Sequence, residues 1–162
     1  MTRPSSSKPL VAIACGGTGG HLFPGVAVGE QLLLRGCDVT LLVSPKEVDQ
    51  HAVTSARGMG VATLPAVGMT RGKLLNFVAG FWKSYRAAKS LFRERTPQAV
   101  LAMGGFTSAP PVLAGRACGA ATFLHESNTI PGRANRWLAH CVDQAFVGFP
   151  TASARLRHKN IL

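Results

Sequence analysis

Short apolar runs recur along the chain, and most are followed by a stretch with helical spacing. The run LVAIAC at 10–15 is rich in β-branched residues and ends at the loop GGTGG. A solidly apolar run that stops at glycines is typical of a strand buried on both faces of a sheet. Further strands are predicted at 38–43, 61–64, 98–103, 121–125 and 143–148.

Helical periodicity is clearest between residues 72 and 95, where apolar side chains recur at steps of three or four. These are Leu74, Val78, Phe81, Tyr85, Ala88 and Phe92. The spacing predicts a long amphipathic helix. Shorter helices are predicted at 24–34, 45–57, 108–118 and 132–140. Because strands and helices alternate, the sequence predicts an α/β fold with a parallel sheet covered by helices on both faces.

The length of 162 residues suits one domain with short flanking segments. Residues 1–8 are polar and are expected to form a flexible tail, whereas the strand and helix pattern fills 9–149. The segment 151–162 is basic and shows no helix cap or core pattern. The N-terminus lacks the apolar stretch of a secretory signal, and four scattered cysteines indicate a reducing, cytoplasmic compartment.

The charge balance is strongly basic, with 18 Lys and Arg against 7 Asp and Glu, a formal net charge of +11. Such a chain attracts nucleic acid, anionic lipid headgroups or phosphorylated substrates. No RNP, KH or zinc-binding pattern is present, so we expect no nucleic-acid partner. Salt-sensitive binding of DNA or RNA is what the alternative interpretation would predict.

The long predicted helix begins with large apolar side chains set among cations. They are Leu74, Leu75, Phe77, Val78, Phe81 and Trp82, with Lys73 and Lys83 beside them. This mixture suits a membrane interface, where cations meet anionic headgroups. The alternative is a helix with its apolar stripe in the core and a solvated basic face. Both descriptions hold if Phe81 and Tyr85 pack inward while Leu75 and Trp82 face outward.

The glycine-rich loop at 16–20 follows the first predicted strand. Glycine lets the backbone approach a phosphate or sugar closely, and a following helix N-terminus favours an anion. The loop is not a P-loop, because no Gly-Lys-Ser/Thr follows, and it does not match G-x-G-x-x-G in a clean register. His21 comes directly after it and is a candidate general base. The alternatives are a tight turn without a ligand and a histidine packed against the sheet.

Two other predicted strands also end in candidate site residues. Gly104 and Gly105 follow one of them, and the hydroxyls of Thr107 and Ser108 then either cap the next helix or contact a ligand. After the other strand comes HESN at 125–128, whose carboxylate and carboxamide suit sugar hydroxyls; the alternative is helix capping by the Asn. Since parallel strands share their carboxyl edge, we expect one concave site there.

The segments GGTGGHLFPGVAV, MTRGK, LAMGGFTSAP and LHESNTIPGRANRWLA occur in this order and resemble the N-terminal half of the MurG family, within glycosyltransferase family 28. The resemblance implies a GT-B architecture of two Rossmann-like domains. The N-terminal domain binds the acceptor and docks on the cytoplasmic face of the membrane, and the C-terminal domain binds most of the UDP-sugar. The implied reaction transfers GlcNAc from UDP-GlcNAc, with inversion, to undecaprenyl-diphosphate-MurNAc-pentapeptide (lipid I), without a metal or cofactor.

The resemblance also implies roles for individual residues. Thr18, Gly19, Gly20 and Asn128 match the donor-facing positions, and His21 matches the histidine proposed to activate the acceptor hydroxyl. Gly104 and Gly105, with Thr107 beside them, match the loop proposed to hold the acceptor diphosphate, and Glu126 matches a site carboxylate. The apolar helix segment matches the membrane-contact surface. Ser127 and Phe106 depart from the Gln and Tyr that the family often has.

Members of this family continue past the position of Leu162 into the donor domain. We therefore expect 150–162 to begin the connection to that domain, and the isolated chain to lack transferase activity. Two further hypotheses stay open: a GT-B transferase with another lipid acceptor, and a non-catalytic membrane-anchoring subunit.

Overall fold

A computed structural model describes residues 8–17, 19–45, 56–65 and 74–162. Six strands form one sheet in the order β3-β2-β1-β4-β5-β6, and every neighbouring pair is parallel. The predicted α/β parallel architecture is therefore confirmed. The strands are β1 (Leu10–Ala14), β2 (Asp38–Val43), β3 (Gly60–Thr63), β4 (Ala99–Ala102), β5 (Ala121–Glu126) and β6 (Gln144–Val147).

Five α-helices cover the sheet within the described residues, together with two 3₁₀ turns at Phe106–Ser108 and Ala139–Cys141. The predicted helix at 45–57 lies mostly outside the described residues. The five helices are α1 (Gly19–Leu34), α2 (Leu74–Glu94), α3 (Ala109–Ala117), α4 (Arg133–Leu138) and α5 (Pro150–Leu156).

The core is divided by the sheet into two layers, as the alternation of side chains along a strand requires. Ile13 of β1 packs with Leu22 of α1 on one face, whereas Ala12 and Ala14 belong to the cluster on the other face. That second cluster includes Phe92 of α2 and buried residues of α3, α4 and α5. Burial on both faces explains why the central strands β1 and β4 are apolar throughout.

The strand order reverses between β1 and β4, which are neighbours in the centre of the sheet. The chain leaves β1 towards β2 and leaves β4 towards β5, so the loops that follow β1 and β4 diverge. In open parallel sheets a crevice forms at this point, outside the carboxyl ends of the strands. The two glycine loops of the sequence occupy this position.

Helix α1 begins earlier than the sequence pattern predicts, at Gly19 rather than at Pro24. Proline has no N–H and cannot bond to the carbonyl four residues back, so the pattern favours a start at Pro24. The helix instead runs through Pro24. His21 consequently lies in the first turn of a helix and not in a loop.

The C-terminal segment packs onto the sheet, so the absence of a core pattern inferred for 151–162 is wrong. Ala152 and Leu156 of α5 are buried, one helical turn apart. The helix ends at Arg157 in the left-handed conformation. The chain then runs along the outer edge of β6: Ala145 N–H donates to the Asn160 carbonyl, and Leu162 N–H donates to the Ala145 carbonyl. Its role as the start of an interdomain connection stays a prediction.

The carboxylate of Asp143 holds the turn before β6 against β5. Its Oδ2 accepts hydrogen bonds from the N–H of Thr122 at 2.8 Å and from the Thr122 hydroxyl at 2.9 Å. The backbone bond is the main cause that lowers the pKa of Asp143 below its usual value. The native state therefore favours the ionised carboxylate.

We expect Asp143→Ala to lower the free energy of unfolding by about 1 kcal/mol near neutral pH. The loss is small because the carboxylate is exposed and solvent screens its charge. Because the native pKa is depressed, this contribution is complete above the unfolded value of about 4 and is lost as pH falls through the native pKa. Urea unfolding across a pH series measures it, with Glu30→Ala on the exposed surface of α1 as the control. A difference that persists unchanged at low pH would contradict this explanation.

Candidate functional site

The loops after β1 and β4 are joined by side-chain hydroxyls. Thr107 Oγ1 donates to the carbonyl of Gly16 at 2.7 Å. Ser108 Oγ lies 3.0 Å from the carbonyl oxygen of Ala14 and 2.6 Å from that of Gly104. Ser108 stands at the N-cap of α3, but its side chain makes no capping bond, so the capping alternative is wrong for this residue. Its hydroxyl joins the ends of β1 and β4, where the strand order reverses.

The imidazole of His21 lies against Gly104 and Gly105, which we call the glycine pair. A Cβ at Gly104 would come 2.8 Å from His21 Nε2, and one at Gly105 would come 3.3 Å from His21 Cε1. Both glycines have positive φ, 122° and 78°, a region that L side chains rarely adopt. The ring of His21 thus occupies space that exists because two side chains are missing.

A buried carboxylate lies at the end of β5. Glu126 is 1% exposed. Its Oε1 accepts hydrogen bonds from the backbone N–H of Asn128 at 2.9 Å and from the Asn128 carboxamide at 2.8 Å. Its Oε2 accepts from Asn135 Nδ2 at 2.8 Å. Because a carboxylate only accepts, the amide nitrogen of Asn128 must face it, and the carbonyl oxygen of Asn128 is directed away.

Asn135 on α4 connects this carboxylate to the glycine pair. Its Nδ2 donates to Glu126, and its Oδ1 accepts from the N–H of Gly105 at 3.1 Å. The side chain is 4% exposed, so both ends of the carboxamide are satisfied inside the protein. Asn128, Glu126, Asn135 and the glycine pair therefore form one continuous hydrogen-bonded chain.

Sequence reasoning did not identify Asn135 as a site residue. The only sequence signal for Asn135 is that this polar residue lies on the apolar face of a predicted helix. Its neighbours on that face, Ala134 and Leu138, are buried in the structure. A buried asparagine requires partners for its donor and acceptor groups. Those partners lie on β5 and in the β4 loop, and their distance along the sequence hides them.

Five of the predicted site residues lie together at one edge of the sheet: His21, Gly104, Gly105, Glu126 and Asn128. The ring of His21 lies against the glycine pair. From Gly105, hydrogen bonds lead through Asn135 and Glu126 to Asn128. Gly19 and Gly20 lie in the first turn of α1, while Thr18 falls outside the described residues. Asn128 is exposed, whereas Glu126 lies beneath the surface with both oxygens engaged.

His125 belongs to the opposite face of β5, because neighbouring residues of a strand point to opposite sides. Its Nδ1 is buried and has no partner among the described residues. Burial lowers the pKa of this imidazole, and the charge of Glu126 partly opposes that shift. In the described ranges, no three His, Cys, Asp or Glu side chains are grouped as a metal site would require.

One face of α2 exposes large apolar side chains, which we call the apolar patch: Leu74, Leu75, Val78 and Trp82. Leu75 is 84% exposed and Trp82 is 58% exposed. Phe81 and Tyr85 pack partly against the core, so the helix has the two-sided arrangement that the sequence allowed. Lys83 is exposed on the same helix, and Lys73 lies outside the described residues.

Beside the apolar patch lies a concave pocket with a volume of about 330 Å³, which we call the apolar groove. It brings together residues of α2, the β4 loop and α4. No helix in the described part of the chain has the length and apolar character needed to span a bilayer. The groove is lined by Phe77, Val78, Phe81, Phe106 and Trp137.

We expect Gly104→Ala to displace the His21 ring. Gly119→Ala is a matched control, because Gly119 also has positive φ but opens onto free space. The control should cost about 1–2 kcal/mol of stability from backbone strain alone. Gly104→Ala should cost about 2 kcal/mol more, since the new methyl group meets the imidazole. Urea unfolding measures both, and NMR of the His21 ring reports its displacement; equal costs with an unmoved ring would refute the contact.

Comparisons with known proteins identify relatives that share the sequence of this chain. The chain is 36% identical to the UDP-N-acetylglucosamine–N-acetylmuramyl-(pentapeptide) pyrophosphoryl-undecaprenol N-acetylglucosamine transferase of Allorhizobium ampelinum over 157 residues, 96% of this chain and 42% of that protein. The protein of the same name from Geobacter sp. strain M21 is 38% identical over 88% of this chain and 39% of its own length. The chain thus spans about two fifths of these relatives.

Solved structures share the fold. MurG of Acinetobacter baumannii superposes with a TM-score of 0.80 at 24% identity, over 95% of this chain and 45% of that one. Arabidopsis thaliana UGT89C1, complexed with UDP-L-rhamnose, superposes with a TM-score of 0.63 at 18% identity, over 96% and 51%. Residues 11–147 match the profile of the glycosyltransferase family 28 N-terminal domain. The chain belongs to this family.

Proposed function

We propose that the chain is the acceptor-binding half of an inverting hexosyltransferase. The enzyme would move GlcNAc from UDP-GlcNAc to the C4 hydroxyl of MurNAc on undecaprenyl-diphosphate-MurNAc-pentapeptide, making lipid II for peptidoglycan. Family membership and the names of the curated relatives support this proposal. The observation that carries it is the meeting of His21, the glycine pair and Asn128 at one edge of the sheet, linked through Glu126 and Asn135.

In this proposal His21 acts as the general base. Its imidazole takes the proton of the C4 hydroxyl while the oxygen attacks C1 of GlcNAc. The bond from C1 to the UDP oxygen breaks, UDP leaves with the electron pair, and C1 inverts. The position of the ring over the glycine pair supports this role, because the acceptor must come close to that loop if its diphosphate binds there.

The donor would contact this chain only at the edge of the sheet where α1 begins. Gly19 and Gly20 stand at the start of α1, directly after Thr18 in the sequence. The N–H groups of a helix N-terminus favour the negative charge that develops on a departing diphosphate. The carbonyl oxygen of Asn128, directed away from Glu126, is suited to accept a hydrogen bond from the donor. The second domain would supply most of the UDP site, and no metal or cofactor is needed.

The acceptor diphosphate would lie on the backbone of the glycine pair, beside Thr107. We assign Glu126 a positioning role: it orients Asn128 directly and Gly105 through Asn135, without itself touching the acceptor. Its burial supports this assignment, because both carboxylate oxygens are already occupied by amide N–H groups.

The apolar patch would dock the enzyme on the cytoplasmic face of the cell membrane as a peripheral protein. Four exposed apolar side chains on one helix face, with Lys83 nearby and Lys73 in the preceding segment, suit insertion between anionic headgroups. The acceptor's undecaprenyl chain lies in that same membrane. Docking on α2 would therefore bring the glycine pair to the acceptor.

Separate calorimetric titrations with a water-soluble lipid I analogue and with UDP-GlcNAc test the proposed division of substrates. We expect weak, saturable binding of the analogue, negligible binding of UDP-GlcNAc and no turnover by this chain alone. Glu126→Gln should weaken analogue binding about tenfold, since an amide presents a donor to one of the two asparagines. Glu94→Gln, an exposed carboxylate on α2, is the charge-matched control.

Failure of the analogue to bind would overturn the acceptor assignment. Tight binding of UDP-GlcNAc, or turnover without a second domain, would overturn the assignment of the donor to that domain. An effect of Glu94→Gln equal to that of Glu126→Gln would contradict the positioning role.

Flotation with vesicles of phosphatidylglycerol and phosphatidylcholine tests membrane docking. Trp82→Ala should weaken vesicle binding about tenfold, about 1.4 kcal/mol, because a large exposed ring is lost from the inserting face. Leu34→Ala removes a similarly exposed apolar side chain, 80% exposed, at the end of α1 and should have no effect. Equal flotation of wild type and Trp82→Ala would contradict docking through this helix.

A further inference from the structure

The carboxamide of Asn135 has one N–H group that the hydrogen bonds of the site do not use. Its orientation is fixed by its two partners, because the N–H of Gly105 donates and the carboxylate of Glu126 accepts. An amide nitrogen carries two hydrogens, and Glu126 takes one of those on Nδ2. The second Nδ2 hydrogen has no partner among the residues that the structure describes.

This second hydrogen lies inside the protein. Only 4% of Asn135 is exposed, so bulk water barely reaches its side chain. A buried donor without an acceptor is unfavourable, and native proteins contain few of them. The donor therefore indicates an acceptor atom that a ligand brings to the site.

Asn135 and His21 approach the same side of Gly104. A Cβ built on Gly104 would lie 3.0 Å from Asn135 Nδ2 and 2.8 Å from His21 Nε2. The two nitrogens are consequently separated by no more than two hydrogen-bond lengths. One oxygen atom placed between them can therefore bond to both.

We infer that Asn135 is an acceptor-binding residue, whose second Nδ2 hydrogen donates to the C4 hydroxyl oxygen of MurNAc. This is the oxygen from which His21 takes the proton in the proposed function. The inference rests on that function and adds a contact to it, since Asn135 there only links Glu126 to Gly105.

The hydrogen-bonding groups of a hydroxyl match this arrangement. The hydrogen of the C4 hydroxyl points to His21 Nε2, one oxygen lone pair accepts from Asn135, and the other lone pair faces C1 of GlcNAc. His21 must then be neutral, with its own hydrogen on Nδ1. As the new bond to C1 forms, the proton moves to Nε2 and UDP leaves with the electron pair of the broken bond. Asn135 exchanges no proton and sets the direction of attack.

A purely structural role accounts for less of the geometry. A link between Glu126 and Gly105 needs one donor and one acceptor, and it leaves the second Nδ2 hydrogen buried without a partner in the described part of the chain. A contact with the acceptor hydroxyl uses both hydrogens and the oxygen of the carboxamide. It also explains why a polar side chain, with the cost of its burial, stands on the inner face of α4 beside the proposed base.

Two soluble acceptor analogues test the contact on the whole 162-residue chain. One is a water-soluble lipid I analogue, and the other is the same molecule without the C4 hydroxyl of MurNAc. We expect the 4-deoxy analogue to bind the wild-type chain about 25-fold more weakly in NMR titrations, at about fivefold for each of the two lost hydrogen bonds. Equal binding of the two analogues would overturn the inference alone. Binding of neither would overturn the acceptor assignment on which the inference rests.

Asn135→Leu separates contact with the hydroxyl from support of the loop. Leucine has a similar shape but no donor, so the ratio of the two affinities should fall from about 25-fold to about fivefold, the share of His21. A structural role alone would weaken both analogues equally, and an unchanged ratio would therefore refute the contact. Asn160→Leu is the control, because it removes an exposed carboxamide that donates to the Asp143 carbonyl at the amino end of β6. Its ratio should stay at about 25-fold.

The wild-type chain provides a readout that does not depend on the folding of a variant. The two hydrogens on Asn135 Nδ2 have separate NMR signals. We expect the lipid I analogue to shift the signal of the hydrogen that does not bond to Glu126, and the 4-deoxy analogue to leave it in place. The Asn160 carboxamide should respond to neither. An Asn135 signal that moves equally with both analogues, or with neither, would show that the hydroxyl does not lie against Asn135 and would overturn the inference.

Discussion

The candidate site depends on a carboxylate that is held out of water. Burying the charge of Glu126 would be costly without compensation, and three N–H groups supply that compensation. Each donor belongs to a segment whose position matters for the site: the loop after β5 and helix α4. The requirement to satisfy one buried group therefore fixes Asn128 and, through Asn135, the N–H of Gly105. The free-energy cost of burying an unpaired carboxylate therefore accounts for the order at this edge of the sheet.

The absence of side chains at Gly104 and Gly105 is the second constraint on the site. The glycine pair adopts backbone angles that other residues avoid, and His21 fills the volume that their side chains would occupy. The β4 loop is also tied to the β1 loop by the hydroxyls of Thr107 and Ser108. An imidazole packed in this way has few alternative positions. Preorganisation of this kind suits a group that must meet a substrate hydroxyl in one geometry.

The fold could be predicted from sequence where the signal is periodic. The apolar run of β1 and the spacing along α2 gave the correct elements, because burial on two faces or on one stripe leaves a regular pattern. Prediction failed where contacts between residues far apart in the sequence determine the local structure. Helix α1 starts at Gly19 and contains Pro24, a residue that the local pattern places at a helix start. Asn135 was missed since its partners lie far away in sequence, and α5 was missed since only Ala152 and Leu156 carry its signal.

The pairing of residues 160–162 with β6 has a consequence for where the folding unit ends. The family profile matches only as far as residue 147. A fragment cut there would leave the backbone donors and acceptors on the outer side of β6 without partners, and an open strand edge invites pairing with another molecule. It would also remove Leu156 from the core. The segment that packs on this sheet therefore extends beyond the limit of the family profile, and shortening the chain to that limit would favour self-association.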